Sequence, residues 1–150
     1  MIKAKLDARL AEFYRRMRDL DDAKRVLPEA GCRSAGQSDP ALTRIVDDQL
    51  MEITRLVKWL EYCRPFYDGN TRNNILILNK LLVEYGFVPA ILAQRNDAPF
   101  FTDGDWCHYI REGMRRWHLL SCLRQMGLLA PVLAFRATWE ADPGIDYARA

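Results

Sequence analysis

Apolar residues recur at spacings of three and four along much of this chain, which is the pattern of helices that bury one face. Leu6, Leu10, Phe13, Met17 and Leu20 mark an amphipathic helix over residues 6–27, with Arg and Asp filling the intervening positions. Residues 28–40 are rich in turn formers and lack strand-like alternation, so they read as a loop. Ser38 or Asp39 then caps a second helix with Pro40 in its first turn, running through Leu42, Ile45, Val46, Leu50, Ile53, Val57 and Leu60 to about Cys63.

The periodicity breaks over residues 64–72. A third helix follows through Ile75, Leu76, Ile77, Leu78, Leu81, Leu82 and Tyr85 and is ended by Gly86. Between Ile75 and Val83 only Asn79 and Lys80 interrupt the apolar residues, which predicts that this helix is the central, buried one. Residues 89–94 suit a short helix, 95–104 a loop, and 105–126 a long helix closed by Gly127. A short apolar segment, 128–135, comes next, and the tail after Trp139 reads as loosely held. The fold class is all-α.

Composition narrows the function classes. The chain has 150 residues, 49% hydrophobic and 28% charged, which is enough for one globular domain with a core and no need of disulfides. Its 22 Lys and Arg nearly balance 20 Asp and Glu, for a formal charge of +2, so bulk nucleic acid and anionic membrane surfaces are not expected partners. There is no secretory leader pattern at Met1-Ile2-Lys3-Ala4-Lys5 and no apolar run of the roughly 20 residues a membrane span requires. The expected location is cytoplasmic, although delivery by a specialised secretion machine leaves no sequence mark. Cys32, Cys63, Cys107 and Cys122 form no Cys-x-x-Cys pair and read as free buried thiols.

One segment carries chemistry: Arg64-Pro65-Phe66-Tyr67-Asp68-Gly69-Asn70-Thr71-Arg72-Asn73-Asn74. A glycine-containing polar turn leading into a helix presents backbone N–H groups, here around Gly69, Asn70 and Thr71, to an anion at the positive end of the helix dipole. Arg72 would add a planar fork for phosphate oxygens, and Asp68 would hold Mg²⁺ against them. The competing reading is a plain helix-to-helix turn with Asp68 or Asn70 as cap. His108 and His118, ten residues apart on one predicted helix, face different ways and cannot share a metal. His108 is a candidate substitute base or a surface histidine. Arg111, Arg115 and Arg116 with Trp106 and Trp117 read as a solvated face over buried tryptophans, since Asp103, Asp105 and Glu112 share the stretch.

The run Pro65 to Arg72, continued by Ile75-Leu76-Ile77-Leu78-Asn79-Lys80-Leu81-Leu82 and Tyr85-Gly86-Phe87-Val88-Pro89, resembles the signature loop and following helix of Fic proteins, His-x-Phe-x-Asp/Glu-Gly-Asn-Gly-Arg-x-x-Arg. The preceding Trp59-Leu60-Glu61-Tyr62-Cys63 is similar to the end of the helix that delivers this motif. The resemblance implies an all-α core and transfer of AMP, or another phosphate-containing group, from a nucleotide with Mg²⁺ to a protein hydroxyl. It implies that Phe66 anchors the loop in the core, Asp68 holds the metal, Gly69, Asn70, Thr71 and Asn73 line the anion nest, and Arg72 grips a phosphate.

Three positions depart from that pattern. Arg64 stands in place of the catalytic His, and a guanidinium cannot accept a proton. Thr71 replaces the second Gly and is expected to narrow the nest, and Ile75 replaces the final Arg. The short segment 28–40 is the only counterpart of the family's strand-like docking flap, and its inhibitory-helix pattern has no match. Arg64 therefore has two readings: it binds an anionic substrate or leaving phosphate, or it pairs with Asp68 or Glu61 to hold an emptied site closed. Three functions follow. The first is a variant Fic-like enzyme that binds a nucleotide or other phosphate-bearing molecule with Mg²⁺ and transfers or cleaves a phosphate-containing group, using Arg64, Asp68 and Arg72. The second is a catalytically silent module that binds a protein target or regulatory partner. The third is a small-molecule enzyme in which Arg64 holds a substrate carboxylate.

Overall fold

The computed structural model describes residues 2–27, 39–93 and 101–128. These form four helices and no strand: α1 (Ile2–Val26), α2 (Pro40–Cys63), α3 (Asn70–Glu84) and α4 (Asp103–Gln125). Residues 28–38 of the expected loop over 28–40, residue 94 of the expected short helix, residues 95–100 of the loop over 95–104, residues 129–135 of the apolar segment over 128–135, and the tail lie outside the described residues. Among the described residues, no helix is long and apolar enough to cross a membrane.

Helix α2 is the centre of the structure and packs against the other three. Its apolar residues Leu50, Ile53, Val57 and Leu60 fall at helical spacing on one side, and Leu56 extends the buried surface around the cylinder. Phe13 and Met17 of α1 and Leu78, Leu81 and Leu82 of α3 close on them. Each large aliphatic side chain fully removed from water contributes about 1.5–3 kcal/mol. The sequence expectation that α3 is central is corrected: Leu76 is 68% exposed and Val83 is also open to solvent. Apolar content says how much surface a helix can bury, and only the neighbours decide which part is covered.

Local chemistry accounts for the helix ends. Asp39 caps α2 by accepting the Ala41 N–H at 2.9 Å. Thr102 caps α4, its hydroxyl oxygen accepting the Asp105 N–H at 3.1 Å, so this helix begins at Asp103, two residues before the expected start. The left-handed Gly86 ends α3, with the Phe87 N–H returning to the Leu82 carbonyl at 2.8 Å. Residues 89–93 are not helical, contrary to expectation, because their amides serve tertiary partners: Ala90 N–H donates to Asn79 Oδ1 at 2.7 Å and Ile91 N–H to the Gly113 carbonyl at 3.0 Å. The strip 87–93 is thereby stitched between α3 and α4.

Charged groups tie the helices together at the rim. The buried Glu52 carboxylate receives Arg16 of α1 at 3.1 Å and Arg55 at 2.8 Å, and Asp103 of α4 receives Lys58 at 2.8 Å. The Lys58 hydrogen bond holds the Asp103 carboxyl below its ordinary range. Cys107 is buried, but Cys63 is exposed and Cys122 only half-buried, which corrects the expectation of buried thiols throughout. Cys32 falls outside the described residues.

Candidate anion-binding loop

Helix α2 ends at Arg64, which has left-handed backbone geometry with φ 43°. Glycine is the usual residue in that region, and an L side chain there costs roughly 1–2 kcal/mol. The loop then closes on itself. The Asn70 carboxamide clasps Phe66 from both sides, its Oδ1 accepting the Phe66 N–H at 2.9 Å and its Nδ2 donating to the Phe66 carbonyl at 2.8 Å. Asp68 Oδ1 accepts the Gly69 N–H at 2.6 Å. Gly69 itself has φ 67°, and α3 begins immediately after it with no side-chain cap. The first intrahelical bond of α3 is Asn73 N–H to Gly69 carbonyl at 2.9 Å, so the amides of Asn70, Thr71 and Arg72 precede the helical ladder.

The Arg72 guanidinium and Asn73 carboxamide lie close over Gly69, 3.7 to 3.9 Å from where a β-carbon would stand. Among the described residues no carboxylate forms an ion pair with Arg64 or Arg72. The pairing of Arg64 with Asp68 or Glu61, one of its two expected readings, is therefore not made. Glu61 is engaged elsewhere: it is 7% exposed, and its carboxylate takes the Thr71 hydroxyl at 2.8 Å on one oxygen and the Asn74 Nδ2 on the other. This clasp fastens the first turn of α3 to the last turn of α2.

Several expected roles change. Phe66 is 38% exposed and stands apart from the core cluster, so the loop is anchored through the Asn70 clasp on its backbone. The Thr71 side chain turns inward to Glu61 and does not narrow the outer face. The Gly69 N–H is already bonded to Asp68, which removes it from the expected nest and leaves the three amides that follow. Ile75, in the place of the motif's last Arg, packs against the core. His108 stays apart from the loop: it is exposed on α4, with Glu112 as its acidic neighbour at 3.8 Å. Among the described residues no cluster of three or more His, Cys, Asp or Glu stands ready for a metal.

Beside the loop runs a groove of about 430 Å³, lined by Arg72, Ile75, Leu76, Asn79, Leu92 and Trp117 among others. That volume lies within the roughly 300–1,000 Å³ of small-molecule sites. Trp106 is buried as expected, but Trp117 is 40% exposed and presents its ring to this groove, correcting its assignment as a buried tryptophan. Arg111 pairs with Asp47, Arg115 with Glu112, and Arg116 donates to the Ile91 carbonyl at 3.3 Å while lying over the Tyr109 ring. These three arginines of α4 are thus engaged within the fold. Glu61 was legible as an acid next to the motif, and its spacing of ten and thirteen residues from Thr71 and Asn74 gave no signal of the clasp. Compared with models of protein families, with curated proteins and with solved structures, the chain matches none.

Proposed function

We propose that the loop and the adjoining groove bind a nucleotide or another phosphate-bearing small molecule, with its phosphates over the start of α3 and its aromatic or apolar part along Trp117. The position of Arg72 carries this reading: the guanidinium stands at the uncapped N-terminus of α3, borders the groove, and has no acidic partner among the described residues. Amides at a helix start and an available guanidinium are the chemistry that recognises phosphate. The resemblance to Fic proteins supports the same assignment. Asp68 offers a single exposed carboxylate with one oxygen already bonded to Gly69, which fits Mg²⁺ held jointly by a carboxylate and substrate phosphates. The metal would neutralise phosphate charge there.

As a group-transferring enzyme the chain would act chiefly by positioning. The acceptor oxygen attacks phosphorus, the bond to the leaving phosphate breaks, and the acceptor's proton passes to solvent or has already been lost, because Arg64 cannot take it. Arg64 would then stabilise charge on the leaving group. The second reading, a silent binding module, is favoured by the engagement of both oxygens of Glu61, the buried acid nearest the loop. A nucleotide-dependent mass increase on a co-incubated protein or small molecule, lost in Asp68→Ala, excludes the silent module.

Two outcomes test binding. Calorimetry with ATP, CTP, GTP and UTP in Mg²⁺ should detect binding of at least one, weakened about 10- to 100-fold in Arg72→Ala, the equivalent of losing one or two hydrogen bonds to a charged group. Failure of all four to bind, or an unaltered affinity in the variant, overturns the proposal. Arg64→Gly should raise the unfolding free energy by about 0.5–1 kcal/mol by relieving the left-handed strain, while weakening ligand binding. Equal affinity in that variant would make Arg64 structural.

A further inference from the structure

Beneath the loop, α2, α3 and α4 enclose a small void lined by Glu61, Thr71, Asn74, Leu78 and Trp106 among others. Two fully buried polar atoms in its lining residues lack a partner: the Nε1–H of Trp106, a donor, and Oδ1 of Asn74, an acceptor. Each of the two residues is 2% exposed. A buried indole N–H and a buried amide oxygen left unbonded cost about 1–3 kcal/mol each, so an unfilled arrangement is unfavourable. They do not bond each other directly, and their chemistry is complementary. The space available is about 10 Å³, the lower limit for one water and too little for any larger ligand.

We infer that this void holds one internal water, which accepts from Trp106 Nε1–H, donates to Asn74 Oδ1, and turns its other O–H toward the Glu61 carboxylate. Three polar partners are what buried waters ordinarily have. The water fixes the orientation of the Asn74 carboxamide, because the opposite flip would place Oδ1 against the Glu61 carboxylate and give the water no acceptor on Asn74. It thus makes α4 a third support of the loop, after the Glu61 clasp and the Asn70 clasp. The inference rests on buried geometry alone and does not depend on the loop binding phosphate.

The test reads the water directly. In the wild-type protein, the Trp106 indole N–H should show a rotating-frame cross-peak to a long-lived water, assigned by its disappearance in Trp106→Phe. A crystal structure at a resolution that shows internal waters should place density between the two atoms, and Trp106→Phe should lose or displace it. An empty void in the wild type, a Trp106 N–H with no water cross-peak, or a water that stays in place in Trp106→Phe overturns the inference. The wild-type measurements need no variant to fold.

Discussion

Glu61→Ala is expected to lower the free energy of unfolding by about 3 kcal/mol, a midpoint shift of roughly 6–12 °C for a chain of this size. The reason is asymmetric. The carboxylate receives the Thr71 hydroxyl and the Asn74 amide, and its removal leaves both donors beside a core that admits little solvent. Each buried donor left unpaired costs about 1–3 kcal/mol, with Thr71 at the low end because it is only half-buried. Glu61→Gln keeps an oxygen for Thr71 and lets Asn74 flip to accept from the new amide, so a loss of only about 1 kcal/mol is expected there. Urea unfolding of both variants checks the order. The same clasp holds the first turn of α3, so Glu61→Ala should also weaken any anion bound at Arg72. Equal stabilities for wild type and both variants would show that the clasp does not hold the loop.

Gly113→Val should cost about 3 kcal/mol, although it replaces the weakest helix former but proline in the middle of α4. A β-carbon at Gly113 would stand 2.9 Å from Leu92 Cδ2, 3.0 Å from the Ile91 carbonyl oxygen and 3.1 Å from Ala90 Cβ. The leucine tip can move aside. The backbone oxygen can move only if the strip 87–93 lifts, which breaks the Ile91 N–H to Gly113 carbonyl bond and pulls away the wall of the groove beside Arg72. In an exposed helix, Gly→Ala stabilises by about 0.8–1 kcal/mol. Here Gly113→Ala is expected to destabilise by about 1 kcal/mol once overlap is set against that gain. Thermal unfolding of the two variants measures the sign, and ligand titration of Gly113→Val should show reduced binding. A stabilised Gly113→Ala would mean that the strip is not tightly seated on α4.

Much of the helical layout was legible because it is local. Pro40 behind the Asp39 cap, the end of α2 at Cys63, and the glycines at 86 and 127 are marked by chemistry within a few residues of each boundary. The short helix expected over 89–94 does not form at 89–93, because the amides of Ala90 and Ile91 are taken by Asn79 and Gly113, eleven and twenty-two residues away. The loop was recognisable from its residue types, whereas the direction of each side chain was not. Nothing in Asn70 announces that it clamps Phe66, and nothing in Thr71 announces that it turns inward.

The sequence by itself determined an all-α chain, because periodicity, caps and turn glycines act over one or two helical turns. It also set the residues on which the proposed phosphate site rests, Arg64, Asp68, Gly69, Asn70 and Arg72, close together in one short segment. The tertiary structure alone decided that α2 is central, that Trp117 faces a groove next to Arg72, and that Glu61 fastens α3 to α2. Those are questions of which faces meet. Burial and the pairing of distant polar groups are settled by the whole packed arrangement, and no window of the chain contains both partners.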